Sequence, residues 1–482
     1  MLTALFRGAR RRAARPSPAT PRRPVVPRLE ALEDRQLPST LTVTNLADAG
    51  DGSLRGQLAA AAPGDTIAFA PGLQGAIALG STLTLDRDVT VVGNLDAAGN
   101  PLVTLSRGGA DESTDLLAGA GVTASVGGLG FTGATLHALV NQGSLTLNHV
   151  TVSGNRIGFY ATYPVEPGTV YNTGALTVQD STISNNQING LHADFGDTAG
   201  VWNSGTLTVL RTRLINNLVS YGSRAVVGGG GICNYGGTAT VTACTLTGNQ
   251  ASNGGGLCSV NPGTLTVSGC MISGNSAVSG GGLYAAGTTQ VTGCTITNNT
   301  ALDAGGGMEF DSVTRTLTLS GSTLAGNQAG GSVYSGQGGG LSVHSNGTVT
   351  VTNCTIANNS AVGYVYQGQL YPGAGGGLYV SSRVLGSVLL TVVSSTVAGN
   401  WTDGTGGGLR VGATGTHVTL TSTLVAGNTA ATAGPDVSGP VLATSAYNLI
   451  GDGSGATGLT DGINGNQVGT AASPIDPRLG PL

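Results

Sequence analysis

LTVSGCMISGN at residues 265–275, followed by GGGL at 280–283, decides the fold. The phrase returns upstream as LTLNHVTVSGN (145–155), LTVQDSTISNN (176–186), LTVLRTRLINN (207–217) and ATVTACTLTGN (239–249). Downstream it continues as TQVTGCTITNN (289–299), LTLSGSTLAGN (317–327), VTVTNCTIANN (349–359), LTVVSSTVAGN (390–400) and VTLTSTLVAGN (418–428). The ten copies close on Asn155, Asn186, Asn217, Asn249, Asn275, Asn299, Asn327, Asn359, Asn400 and Asn428. Their mean spacing is about 30 residues, and a fixed internal repeat of that size marks a solenoid.

Counting back from each Asn gives the repeat its physical content. Ten before it stands Leu, Val or a weaker substitute, and eight before it always Val or Leu; three before it the residue is always aliphatic, as in Val152, Ile183, Leu214 and Ile272. Thr and Ser fill most positions between. Period-two alternation with β-branched residues predicts short strands, apolar side in and hydroxyl side out. Five before the Asn the residue is mostly small, Cys244, Cys270, Cys294 and Cys354 among them, as a tight inward corner requires. A further strand is expected after each GGG, opening at Ile232, Leu257, Leu283, Met308, Leu341, Leu378 and Leu409. The recurring Asn suits a left-handed turn position, and its amide can bond to the Asn one coil on. Strands repeated in parallel every 30 residues bury their apolar stripe only against neighbouring coils. The expected fold is all-β: a right-handed parallel β-helix of about ten to thirteen coils, with an N-terminal cap containing a short helix.

Composition narrows the function class. The chain has 83 Gly, 4% aromatic and 9% charged residues, and all 20 of its basic residues are Arg. Residues 1–35 carry net charge +6 and the remainder −10, which argues against a nucleic-acid groove in the body. The Arg/Pro/Ala-rich segment 1–39 is expected to be an unfolded leader or export segment. Residues 40–123 read as a cap, with a helix near Leu54–Ala62 that starts at Ser53. The β-helix is expected over 124–430 and a C-terminal cap over 431–482. No run of 18 apolar residues is present, so no transmembrane helix is expected.

Three stretches carry resemblances. LEALEDRQLPS (29–39) resembles the LE-x-LEDR-x-LPS segment near the N-termini of planctomycete surface proteins, which implies export. The GGGI/GGGL and [ILV]xxN phrases over roughly 124–430 are similar to the GGAI and FxxN repeats of polymorphic outer-membrane proteins. Here an aliphatic replaces the aromatic of FxxN; the likeness implies the fold and, weakly, an adhesive role at the cell surface. YNLIG (447–451) and DPRLGPL (476–482) look like the start of a choice-of-anchor Q region. Together they imply an extracellular or cell-surface protein.

Chemistry-bearing residues are sparse. Cys233 and Cys258 follow the first residue after GGG in successive coils, so they should point outward about 5 Å apart, where export would permit a disulfide. The best catalytic column lies six before the Asn in three coils, His149, Asp180 and Arg211, with Arg213 nearby and His192, Asp194 and Asp197 in the following loop. A surface salt-bridge ladder explains that column as well. Glu309 and Asp311 should share one outer face, but in the sequence the pair stands alone. DAGDG at 48–52 lacks the spacing of a calcium loop, so calcium has no support, and no cofactor or metal is expected. The loops between each Asn and the next GGG carry Tyr160, Tyr163, Tyr221, Tyr334, Tyr364, Tyr366 and Tyr371. Tyrosines on loops over a rigid scaffold suit contact with carbohydrate or a cell-surface protein. The expected function is a secreted or cell-surface structural or adhesive module. The alternative is a polysaccharide lyase or glycoside hydrolase acting on acidic polysaccharide.

Overall fold

A computed structural model describes residues 37–107, 114–158, 168–189, 197–220, 228–382, 386–412 and 415–480. The leader expected over 1–39 lies outside these residues except for Leu37, Pro38 and Ser39.

From Thr40 onward the chain winds as a right-handed parallel β-solenoid of about 13 turns. Three long sheets of 14, 15 and 14 strands form its walls. In a typical coil, Thr264–Ser268 belongs to the first sheet, Met271–Ser273 to the second and Leu283–Ala285 to the third. Shorter strands such as Ser276–Ser279 bridge the second and third sheets and pair among themselves. Among the described residues, helix is confined to Leu54–Ala60 and one 3-10 turn.

The alternation read from the sequence becomes vertical stacking. Leu265 pairs with Thr289 and Val267 with Val291 in the first sheet; Ile272 pairs with Ile296 in the second. These residues are buried in one continuous core running from Val43 to Ile450. The hydroxyls between them face outward, giving the first-sheet strands their exposed, buried, half-buried alternation. Successive coils lie one strand spacing apart, about 4.8 Å, so each aliphatic rests on its counterpart in the next coil.

Inside the bend after the second sheet runs an amide ladder. Asn275 Nδ2 donates to Asn299 Oδ1 at 3.0 Å, Asn299 to Asn327 at 3.0 Å and Asn327 to Asn359 at 2.9 Å. The same bond recurs from Asn155 through to Asn428, all of it buried. From Asn186 on, each Oδ1 also accepts the backbone N–H of the preceding coil's Asn, as Asn327 Oδ1 does from Asn299 N, and each Nδ2 also donates to a carbonyl one coil back, as Asn299 Nδ2 does to Ile272 O. Every buried amide is thereby satisfied on both sides.

One detail differs from the sequence reading. The laddered asparagines have ordinary backbone conformations; the left-handed residue is the one before each, Gly or Asn, with φ between +52° and +70°. Turn and ladder are divided between two adjacent residues, because the left-handed residue turns the chain and the next points its amide inward. The corner five before the Asn also does more than save space. Cys244 Sγ and Cys270 Sγ accept the N–H of Thr212 and of Cys244, and Ser322 Oγ that of Cys294, so a small hydrogen-bonding side chain is needed there.

The ladder also explains the GGG phrase. A Cβ on Gly307 would lie 2.6 Å from Gly340 O and 3.0 Å from Asn327 Nδ2, and Gly377 is closed in the same way by Asn400. In the last full coil GGG becomes GPD, and Asp436 takes the position of the third glycine. Its Oδ1 accepts from Asn428 N (3.0 Å) and Nδ2 (2.8 Å), and its Oδ2 from Asp452 N (2.6 Å). The carboxylate fills the place of an eleventh asparagine.

At the N-terminus Ser53 caps the helix by accepting from Gly56 N at 3.0 Å, and Leu54 and Leu58 plug the core. The segments read as caps also contribute strands to the long sheets, from Thr40–Val43 at one end to Gln467–Val468 at the other.

Candidate functional site

The column His149, Asp180, Arg211 occupies the corner between the first and second sheets. All three have positive φ, near +50°, and so do Ala243, Gly269, Gly293, Gly321, Asn353, Ser394 and Ser422 in the same column. Arg211 clamps Asp180 with Nε to Oδ1 at 2.7 Å and Nη2 to Oδ2 at 2.6 Å, on a half-exposed surface. That hydrogen-bonded guanidinium holds the Asp180 carboxyl below its usual range. His149 turns to Asn148 Oδ1 at 2.7 Å. The three form a corner stack with an ion pair. Arg213 pairs with Thr182 and Thr245 in the second sheet. His192 and Asp194 lie outside the described residues, and Asp197 is buried, which pushes its carboxyl up to about 7.

More chemistry gathers on the outer face of the third sheet. Alternation sends one residue per coil outward, and register stacks Tyr171, Trp202, Cys233, Cys258, Tyr284, Glu309, Ser342, Tyr379 and Arg410 in one file. Its first half is apolar: Tyr171 stacks on Trp202 at 4.6 Å and Trp202 on Tyr235 at 5.9 Å. Cys233 and Cys258 pair in register on adjacent coils; they are free thiols, fully buried among Trp202, Val260 and Tyr284. Cys233 beside it, together with burial, holds the Cys258 thiol well above its ordinary range.

The second half of the file is polar. Glu309 is only 5% exposed. Its Oε1 sits 3.4 Å from His344 Nδ1, and its Oε2 is buried with no hydrogen-bond partner. His344 Nε2 meets Gln337 Oε1 at 2.6 Å, its Nδ1 lies 3.3 Å from Ser342 Oγ, and its ring packs 5.2 Å from Tyr379. Tyr284 OH donates to Asp311 Oδ2 at 3.2 Å. Burial raises the Glu309 carboxyl above its usual range, against the opposing pull of His344 and Ser279, with Asp311 adding to the rise. Burial likewise raises Asp303, which also feels His344. Burial raises the Tyr284 phenol. The pair Glu309 and Asp311, alone in the sequence, is joined in space by residues 25 to 35 positions away in either direction.

The loop tyrosines divide. Tyr160, Tyr163 and Tyr221 lie outside the described residues. Tyr364, Tyr366 and Tyr371 share a hairpin, Tyr364–Tyr366 against Gln369–Tyr371, that leaves the 41-residue coil between Asn359 and Asn400. Gln367 and Gly368 both have positive φ, the geometry of a two-residue hairpin turn. The base of the hairpin is fixed by one carboxylate: Asp403 Oδ2 accepts from Gly363 N at 2.8 Å and Oδ1 from Gly373 N at 2.7 Å. Tyr364 and Tyr371 stack at 5.0 Å. Val365, Tyr366, Leu370 and Tyr371 are 42 to 67% exposed, beside exposed Val333 and Tyr334. Ser335 Oγ donates to Tyr371 O at 3.1 Å, so the segment that carries Gln337 to His344 also touches the hairpin.

Among the described residues no group of His, Cys, Asp or Glu is placed to hold a metal ion, and no helix is long and apolar enough to cross a membrane.

The family described as a right handed beta helix region matches residues 169–346. None of the curated proteins matches the chain. Tailspike protein 3 of bacteriophage CBA120 is 12% identical with a TM-score of 0.41, the match covering 88% of this chain and 61% of that one. The chain therefore spans about three fifths of the tailspike's length. Mannuronan C-5 epimerase AlgE6 A-module of Azotobacter vinelandii is 15% identical, TM-score 0.36, over 83% of this chain and 97% of that one. Pectate lyase Pel9A is 12% identical, TM-score 0.36, over 66% and 78%.

Proposed function

We propose that the chain is a secreted or cell-surface β-helix module, structural or adhesive, that holds carbohydrate against the hairpin at Tyr364–Tyr371. One observation carries this reading: apolar and aromatic side chains that a solenoid has no internal use for are displayed on a clamped hairpin. Aromatic faces stack on the C–H faces of sugar rings, and a hairpin fixed at its base loses little freedom when it binds. The localisation rests on the leader and repeat resemblances.

The test is a glycan array read with the whole protein and with the Tyr366→Ala/Tyr371→Ala double variant. Two rings at about 1 kcal/mol each should cost roughly tenfold or more in affinity, with the melting temperature unchanged. Array binding that survives the double substitution defeats the reading.

The alternative, a polysaccharide lyase or glycoside hydrolase, is favoured by the meeting of Glu309, Asp311, Asp303 and His344 on one flank. An acidic polysaccharide does not suit it. Three carboxylates in the cluster, on a body of net charge −10, repel an anionic substrate.

A further inference from the structure

We propose that Cys233 and Cys258 are a disulfide site, a covalent rung between two adjacent coils of the third sheet, and that the other four thiols stay reduced. The proposal takes its oxidising compartment from the export reading and its choice of pair from the geometry.

Register brings the two together. Cys233, on Ile232–Tyr235, is the Cα partner of Cys258, on Leu257–Val260. Neighbours in register on adjacent strands lie about 4.8 Å apart, inside the Cα separation of about 4.4 to 6.8 Å that a disulfide spans. Ile232 and Leu257 beside them enter the main core, while both cysteines belong to the separate cluster of Trp202 and Val260. The two side chains therefore leave the sheet on the same side, where the Cys258 thiol has that of Cys233 as its hydrogen-bonding neighbour.

Proximity alone would not select this pair, because Cys244, Cys270 and Cys294 also follow one another in successive coils. Those thiols hold the backbone. Cys244 Sγ donates to Thr242 O at 3.1 Å and accepts from Thr212 N at 3.5 Å. Cys270 Sγ donates to Ser268 O at 3.3 Å and accepts from Cys244 N at 3.4 Å. Cys294 Sγ donates to Thr292 O at 3.4 Å and accepts from Cys270 N at 3.4 Å, and Cys354 Sγ donates to Thr352 O at 3.2 Å. Ser or Thr donates the same bond at Ser181, Thr212, Ser322, Ser395 and Thr423. A disulfide carries no S–H, so oxidising a corner thiol gives up the bond it donates. Cys233 and Cys258 have no such duty. Among the described residues neither thiol bonds to the backbone, and the same file is filled on either side by Trp202 and Tyr284. An aliphatic side chain would pack at these two positions equally well, and what a thiol adds there is its oxidation.

Both side chains are fully buried in the finished fold, so the step belongs to the winding of the solenoid, before this flank closes. The thiolate of one cysteine attacks the disulfide of the oxidant, a small-molecule disulfide or an oxidised dithiol oxidase, and one oxidant thiol leaves. The thiolate of the second cysteine then attacks the sulfur of the first. The second oxidant thiol leaves, and the two cysteine protons end on the released thiols.

Cell-free synthesis of the full chain, once with a glutathione disulfide buffer and once with reductant alone, tests the proposal. After alkylation in denaturant the reduced chain should carry six labels and the oxidised chain four, and peptide mapping should join Cys233 to Cys258. Closing a loop of about 25 residues should raise the folding equilibrium constant about a hundredfold, read by urea denaturation of the two forms. Once buried, the bond should resist reductant in native buffer and yield to it in urea. Cys258→Ala should show five labels and the same stability under both conditions. Cys244→Ser/Cys270→Ser, which places at this corner the hydroxyl that Ser322 and Ser395 already supply, should keep the bond and show two labels. Six labels on the chain made with glutathione disulfide, or a map that joins any other two cysteines, overturns the site, and the wild-type chain alone decides this. Export is read separately, from the compartment in which the full chain is found, so the two readings fail independently.

Discussion

Two files of side chains run the length of this solenoid, and they differ in what constrains them. In the inner file, ten coils in succession carry Asn, from Asn155 to Asn428. In the outer file on the third sheet, Tyr171, Trp202, Cys233, Cys258, Tyr284, Glu309, Ser342 and Tyr379 occupy equivalent positions and scarcely two neighbours agree. The inner file is fixed by its own neighbours, because each amide must find its donor and acceptor one coil away. The outer file has no such reciprocal bond to fix it. Repetition stops there, and the titratable cluster is found along it.

Breaking the inner file should have the largest effect. Asn299→Ala removes four buried hydrogen bonds, two donated to Asn327 Oδ1 and Ile272 O and two accepted from Asn275. At about 1 kcal/mol or more for each stranded partner, urea denaturation should show a loss of about 4 kcal/mol. Retention of wild-type stability would mean that the amides do not bear on one another.

The flank of the third sheet should show itself through pH. Asp115 and Asp197, at the entrances to two of its strands, are each pushed to about 7, by burial in both cases and despite Arg107 beside Asp115. A carboxylate whose folded pKa lies above its unfolded value stabilises most below the unfolded pKa, and that contribution fades as pH rises through the folded one. Stability should therefore fall by about 2 to 4 kcal/mol between pH 4 and 7, and Asp197→Asn should flatten part of the slope. A stability curve that rises over this interval contradicts the buried state of both groups. The smallest effect belongs to the corner file. Arg211→Gly gives up an exposed ion pair but relieves a side chain at φ +47°, so the two nearly cancel and the change should stay within about 0.5 kcal/mol in the same denaturation assay.

The sequence made the inner geometry legible because hydrophobic period and repeat period agree. Val267 and Ile272 could be placed inside from alternation alone, and the amide ladder from the spacing of its asparagines. A second ladder lies on the third sheet. Asn141, Asn172, Asn203 and Asn234 also bond in series, at 2.6 to 2.7 Å between the first pairs, and the signal was available as VNQG, YNTG, WNSG and CNYG at a spacing of 31. Asp436 was hidden because it lies only eight residues after Asn428, off the period. The cluster at Glu309 was half legible. Glu309 and Asp311 stand two apart in the sequence, while Asp303 and His344 come from two other strands and Gln337 from an isolated bridge, at separations that the repeat does not set. Periodicity predicts which residues meet inside the coils and is silent about which side chains meet on the outer flank.

The capped amide chain has a sense of direction. One N–H of every amide in it is given to the next coil toward the C-terminus, and Asp436, a residue with acceptors alone, is what allows the series to stop. A whole turn duplicated anywhere upstream would slot in without any new recognition, since each unit offers the donor its successor lacks. Cutting the series short is a different matter, because whichever asparagine came last would be left with a hydrogen to give and no oxygen to take it. How long this amide series runs is thus decided by where a single carboxylate falls, and repositioning that one side chain is a route to shorter and longer versions of the series.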